Sequence, residues 1–188
     1  MVIISLWALQ NHLDLLEYNR QEILSGEIWR IWTGHLVHTN MSHFALNILA
    51  AIIIYLTFFM KIKPVELLLN SFLFATLISL MLLSIYPDLD WYNGLSGLLH
   101  ALLIHFSARL AKNERTIFWA ILLAVWIKVL NETMHLYSGY KNLVGDMLVI
   151  SEAHLIGTIF GTITALICMA GYQEKSKQKT QINESKIN

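Results

Sequence analysis

Runs of apolar residues long enough to cross a lipid bilayer dominate this chain, and they restrict its fold more than any other feature. Crossing the hydrocarbon core takes roughly 20 largely apolar residues as a helix. A helix also pairs its own backbone donors and acceptors where there is no water to do so. Blocks of this kind fall at about residues 36–60, 65–86, 94–111, 116–136 and 150–172, with a weaker one at 1–16. The weak block is interrupted by Asn11, His12 and Asp14, and Ser5 is the one polar residue before them in the run from Met1 to Leu9. It has neither a basic leading region nor a small-residue cleavage pattern, so it reads as a first span and not as a removed signal. Of the 188 residues 56% are hydrophobic and 14% charged, a balance that leaves no material for a sizeable soluble domain. The expected fold is all-α: one polytopic bundle of six transmembrane helices over residues 1–172, followed by a polar, basic, disordered tail at 173–188.

The connections agree with that division. Lys61-Ile62-Lys63-Pro64 separates the second and third blocks, with Pro64 suited to the first position of a helix. Tyr86-Pro87-Asp88-Leu89-Asp90 ends the third, and a basic turn from Arg109 to Arg115 follows the fourth. A loop from Tyr137 to Asp146, with Gly139 and Gly145, precedes the sixth. Lys61, Lys63, Arg109, Lys112, Arg115, Lys175, Lys177, Lys179 and Lys186 lie in alternate connections and the tail, against Arg20, Arg30 and Lys141 on the other set. The positive-inside rule therefore makes the first set, and both termini, cytoplasmic. The stretch from Glu17 to Thr39, carrying Trp29 and Trp32 as interface aromatics, and the acidic turn at Asp88 and Asp90 face outward. Cys168 is the single cysteine, so no intrachain disulfide forms and the redox compartment is not legible.

Against this apolar background a few polar residues stand out: His43, Asn47, Ser96 in Gly94-Leu95-Ser96-Gly97, and His154 in Ala153-His154-Leu155-Ile156-Gly157. Polar side chains at membrane depth are costly and face an interior or a wet cavity, where they mark function. The second, fourth and sixth spans run in the same direction, so all four residues lie near the outer ends of their helices. Ser96 is a poor nucleophile until a base takes its proton, and the imidazole of His154 is such a base. The amide of Asn47, the ring N–H of His43 and the backbone N–H of Ser96 are donors for a tetrahedral oxyanion. Gly94 and Gly97 allow close backbone approach, and Gly157 with Gly161 forms a small-xxx-small ridge on the His154 helix. Each string has a plain alternative: a glycine-serine packing motif, a histidine or asparagine that bonds a neighbouring helix. Their joint occurrence at one depth favours a serine hydrolase.

The same residues, in this order, resemble the rhomboid family of intramembrane serine proteases. Glu27-Ile28-Trp29-Arg30 with Thr33 is similar to its loop signature, and His38, His43 and Asn47 match its H-x4-H-x3-N pattern. Gly94 to Gly97 match the serine motif, and Ala153 to Gly161 match Ala-His-x-x-Gly-x-x-x-Gly. The resemblance spans about residues 17–172. It implies a six-helix rhomboid-like bundle, a Ser96–His154 dyad with no third acidic member, and His43 and Asn47 at the oxyanion. Many rhomboids carry a tyrosine four residues after the serine, stacked on the catalytic histidine; this chain has His100. Gly-Leu-Ser-Gly-Leu-Leu-His, the pair Lys128 and Glu132, and the small size resemble the rhombosortase branch. That likeness implies cleavage of C-terminal GlyGly-CTERM anchors from exported proteins in a bacterial inner membrane. The substrate would carry a Gly-Gly motif, an apolar span and a basic tail, with transfer to a lipid-derived amine as an alternative to hydrolysis.

Further residues have defined readings. His100, one turn beyond Ser96, orients His154 or contacts substrate, with a plain helix–helix hydrogen bond as the alternative. Lys128 and Glu132 at i, i+4 form a mutually neutralising structural pair. His38 braces the loop by hydrogen bonding. His35, His38 and His43 have no cysteine or carboxylate neighbours in sequence to complete a metal site, and no cofactor is expected. The rival functions are a general rhomboid protease acting on ordinary transmembrane substrates, a non-catalytic rhomboid-like binder, and, less in keeping with the absence of a broken-helix repeat, a transporter.

Overall fold

The computed structural model describes residues 2–58, 61–112, 114–137 and 150–184. Lys141, Lys186 and most of the loop expected after Tyr137 lie outside these residues. The chain opens with α1 (Val2–Leu9), a 3₁₀ turn at Gln10–His12 and the single turn α2 (Leu13–Leu16). It continues through β1 (Tyr18–Asn19), α3 (Arg20–Ser25) and α4 (Arg30–Thr33). The long helices are α5 (Met41–Phe58), α6 (Pro64–Ile85), α7 (Ser96–Ser107), α8 (Arg115–Tyr137) and α9 (Ser151–Glu184), with β2 (Trp91–Tyr92) between α6 and α7.

Local chemistry sets several of these boundaries. Asn19 caps α3 by accepting from the N–H groups of Gln21 and Glu22. Gly26, at φ 118°, closes that helix in the left-handed region, and its N–H returns to α3 carbonyls. Pro64 opens α6, where its missing N–H has no cost. The tail expected to be disordered continues α9 to Glu184. Its Gln, Glu and Lys residues are good helix formers, and no proline or glycine between 173 and 184 interrupts them.

Among the described residues four helices are long and apolar enough to cross a membrane: Met41–Phe58, Pro64–Ile85, Arg115–Met134 and Ser151–Tyr172. Two of the six expected spans differ. The span expected at 1–16 is not continuous over the described residues 2–16: α1 is eight residues long, about 12 Å of rise, and Gln10–His12 breaks it where the polar residues fall. The span expected at 94–111 is the shorter helix Ser96–Ser107. This helix is the centre of the bundle, with Leu98, Leu99, Ala101, Leu102, Ile104 and Phe106 all buried.

Packing follows from that central position. On one side Leu98, Leu99, Leu102 and Phe106 meet Ile54, Phe58 and Phe74 from α5 and α6. Towards the other end Ile104 joins Phe118, Leu122, Val125 and Val129 of α8 with Ala165 and Met169 of α9. A third cluster lies under the loops, where Tyr18, Ile23 and Tyr92 cover Ile78, Leu82, Ala153 and Ile156. The outward faces remain apolar: Leu49, Ile52, Ile53 and Leu56 on α5 and Leu68, Leu69 and Phe72 on α6 are exposed. Helices apolar on both faces belong in lipid.

Candidate active site

The site begins with the way two helices are brought into contact. A side-chain carbon placed on Gly97 would lie 2.8 Å from the Ala153 carbonyl oxygen, and one on Gly161 would lie 2.8 Å from that of Ala101. One on Gly157 would run into the Gly97 carbonyl. The α7 and α9 backbones therefore touch along their first turns, and only hydrogen at these positions allows it. That approach lets a one-carbon side chain on α7 reach a ring on α9. Ser96 Oγ and His154 Nε2 are 2.6 Å apart.

The turn leading into α7 is equally constrained. Gly94 has φ 119°, a conformation that L side chains rarely adopt, and an added Cβ would sit 2.6 Å from Cε1 of His43. Tyr92 donates its hydroxyl to the Gly94 carbonyl, and the Gly94 N–H donates to Gly34 at 3.0 Å. Pairing of Tyr18 with Tyr92 and Asn19 with Trp91 ties this turn to the N-terminal loops. Those loops are held by Arg30, which is buried and donates to Glu27 Oε2 at 2.6 Å and to the carbonyls of Asp14 and Glu17.

Around the serine and histidine lies a connected set of polar groups from three helices. Glu132, near the end of α8, places Oε2 at 2.8 Å from His154 Nδ1. Its other oxygen, Oε1, accepts from Lys128 Nζ at 2.6 Å. Lys128 Nζ also donates to His100 Nε2 at 3.2 Å, and His100 Nδ1 donates to the Ser96 carbonyl at 2.6 Å. The His100 and His154 rings are stacked, with centroids 4.6 Å apart and planes inclined by 26°. The resemblance implied no acidic partner for His154, and the i, i+4 spacing gave Glu132 only Lys128. In the fold the carboxylate faces both.

His43 and Asn47 stand on the first two turns of α5. Asn47 is buried and donates one amide hydrogen to the His43 carbonyl at 3.0 Å, leaving the second hydrogen of the amide. His43 itself is fixed at its backbone, where its N–H donates to Asn40 Oδ1 at 2.8 Å. His38 packs edge-on against the His43 ring at 5.0 Å. Its Nε2 accepts from the Leu95 N–H at 3.3 Å, so it braces the turn that presents Ser96. Burial, reinforced by the neighbouring His43, holds the His38 imidazole down to about 4 and keeps it neutral, as that acceptor role requires.

Two contributions are not read from the sequence, where His35 is weighed only as a metal ligand. His35 is buried between the loop and α6, where Nε2 donates to the Ala75 carbonyl at 3.2 Å and lies 3.1 Å from Ser79 Oγ. Burial holds it, too, down to about 4. The second is the facing of Glu132 towards His154. Depth was the available signal: α8 runs opposite to α7 and α9, so its last turns reach the level at which they begin.

A catalogue of known families adds an independent finding. The family model described as Rhomboid domain matches residues 25–171. Among curated proteins none matches the chain.

Proposed function

The chain belongs to the rhomboid family, whose members are intramembrane serine proteases, and we propose that it is itself a serine endopeptidase with Ser96 as nucleophile and His154 as base. Family and apolar helices make it a multi-pass membrane protein, and rhomboid proteases act on transmembrane substrates. The observation that carries the reading is the 2.6 Å contact between Ser96 Oγ and His154 Nε2. With a lone pair on Nε2, His154 takes the hydroxyl proton as Oγ attacks a peptide carbonyl, then passes it to the leaving amine. The oxyanion meets the free amide hydrogen of Asn47, the ring of His43 and the backbone N–H of Ser96 at the start of α7. Water or another amine then releases the acyl group. Gly94, Gly97, Gly157 and Gly161 supply the close approach, and His38 and His100 support the two rings beside them.

Labelling by a fluorophosphonate probe tests this chemistry. Wild-type protein is expected to label and Ser96→Ala and His154→Ala are not; labelling that persists in Ser96→Ala contradicts the assignment.

Within the family the chain is best read as a rhombosortase. His100 in place of the usual tyrosine and the Lys128–Glu132 pair favour that branch. The preferred substrate is then an exported protein whose C-terminal anchor carries a Gly-Gly motif, an apolar span and a basic tail. Cleavage would take place towards the periplasmic side of a bacterial inner membrane, with both termini of the enzyme in the cytoplasm, as the distribution of lysine and arginine favours. A reporter with this anchor should be cut faster than one whose Gly-Gly is replaced. Equal rates would return the chain to the general rhomboid proteases.

A further inference from the structure

We propose that Glu132 is the positioning residue of this site. Its carboxylate holds His154 in the tautomer and orientation that Ser96 requires and stabilises the imidazolium as it forms, while Lys128 and His100 hold the assembly in place. This rests on the reading of Ser96 and His154 given above.

Hydrogen-bonding capacity alone fixes where the protons lie. An ionised carboxylate only accepts, so the hydrogen of neutral His154 is on Nδ1, 2.8 Å from Glu132 Oε2. Nε2 then carries the lone pair, directed at Ser96 Oγ. An ammonium only donates, so the Lys128 contact makes His100 Nε2 an acceptor and puts the His100 hydrogen on Nδ1. That hydrogen meets the Ser96 carbonyl oxygen, which only accepts. Every donor in the chain of contacts from Lys128 to Ser96 meets an acceptor, with one arrangement of protons.

A structural pin between two α8 neighbours explains less. Lys128 and Glu132 satisfy each other through Oε1 alone, and nothing in that role directs Oε2 to an imidazole on α9. His154 is 5% exposed, so the positive charge it gains on taking the serine proton develops away from water. A carboxylate at hydrogen-bond distance offsets that cost, as in serine hydrolases with an acidic third member. The proton passes from Ser96 Oγ to His154 Nε2 and on to the leaving nitrogen. Glu132 keeps its charge throughout, and Lys128 supplies the counter-charge that permits a carboxylate at this depth.

Kinetics of purified protein on a transmembrane reporter, with Ser96→Ala alongside, test the assignment. Glu132→Gln keeps the side chain's shape and removes its charge. It is expected to lower kcat by roughly 10²–10⁴-fold with KM within about threefold of wild type, and to slow fluorophosphonate labelling in parallel. If the variant does not fold, proton NMR of wild-type protein decides: a far-downfield Nδ1 proton from His154, present also in Ser96→Ala, supports the contact. Its absence overturns the proposal. A folded Glu132→Gln protein with wild-type kcat, where Ser96→Ala is inactive, overturns the role of Glu132 and leaves the protease reading standing. Wild-type protein that neither cleaves nor labels overturns both.

Discussion

Gly94 shows how much a single residue contributes to this site. Its positive φ and its distance from His43 both forbid a side chain, so Gly94→Ala strains the backbone and displaces an imidazole together. Thermal unfolding in detergent should show a loss of about 1–3 kcal/mol, and cleavage should fall by more than that loss of folded protein explains. Residue identity was the most legible level of the sequence. A hydroxyl, an imidazole and an amide in apolar helices are conspicuous because their burial costs free energy unless they are used or bonded. The orientation of Glu132 was not legible in the same way. Spacing along one helix names neighbours at i+4, and says nothing of which oxygen turns towards another helix.

At the scale of elements, the contact between α7 and α9 decides whether the chemistry is assembled. Gly157→Val drives a branched side chain into the Gly97 carbonyl and pushes the helices apart at the level of Ser96 and His154. Because displacement of about 1 Å can cost 10²-fold in rate, kcat/KM should fall by at least that factor while the protein remains helical by circular dichroism. Retained activity would mean that the helices meet elsewhere. The small-xxx-small pattern pointed to this face, and Pro64 marked the start of α6 to the residue. Lengths were less legible. Hydropathy registers α7 as a span because most of its 12 residues are apolar, whereas they are apolar because neighbouring helices enclose them.

Acid sensitivity is a property of the whole molecule, since His35 and His38 lie where the N-terminal loops close over the helices. Both take up a proton near 6.5 in an unfolded chain but only near 4 in the fold. Between those values the unfolded state binds more protons, so stability is intact above about pH 6.5 and declines as pH falls towards 4. Each ring contributes on the order of 3 kcal/mol to that decline. A midpoint of thermal unfolding that does not fall across the window would show that the loops open before the rings titrate.

Composition and periodicity by themselves determined that the chain is helical, lies in a membrane and carries serine, imidazole and amide groups near one end of the bundle. These follow from local facts: twenty apolar residues need lipid, and helices running the same way share depths. The tertiary structure decided which groups meet. Gly97 against Ala153 brings Ser96 to His154, and the end of α8 turns Glu132 towards the same ring. It also decided that residues 2–16 break into short helices at Gln10–His12, and that the carbonyls beyond the break, Asp14, Leu15 and Leu16, accept from Arg30, Trp29 and Thr33. Such outcomes depend on contacts between segments far apart in the chain, and a linear pattern does not encode which side chain faces which.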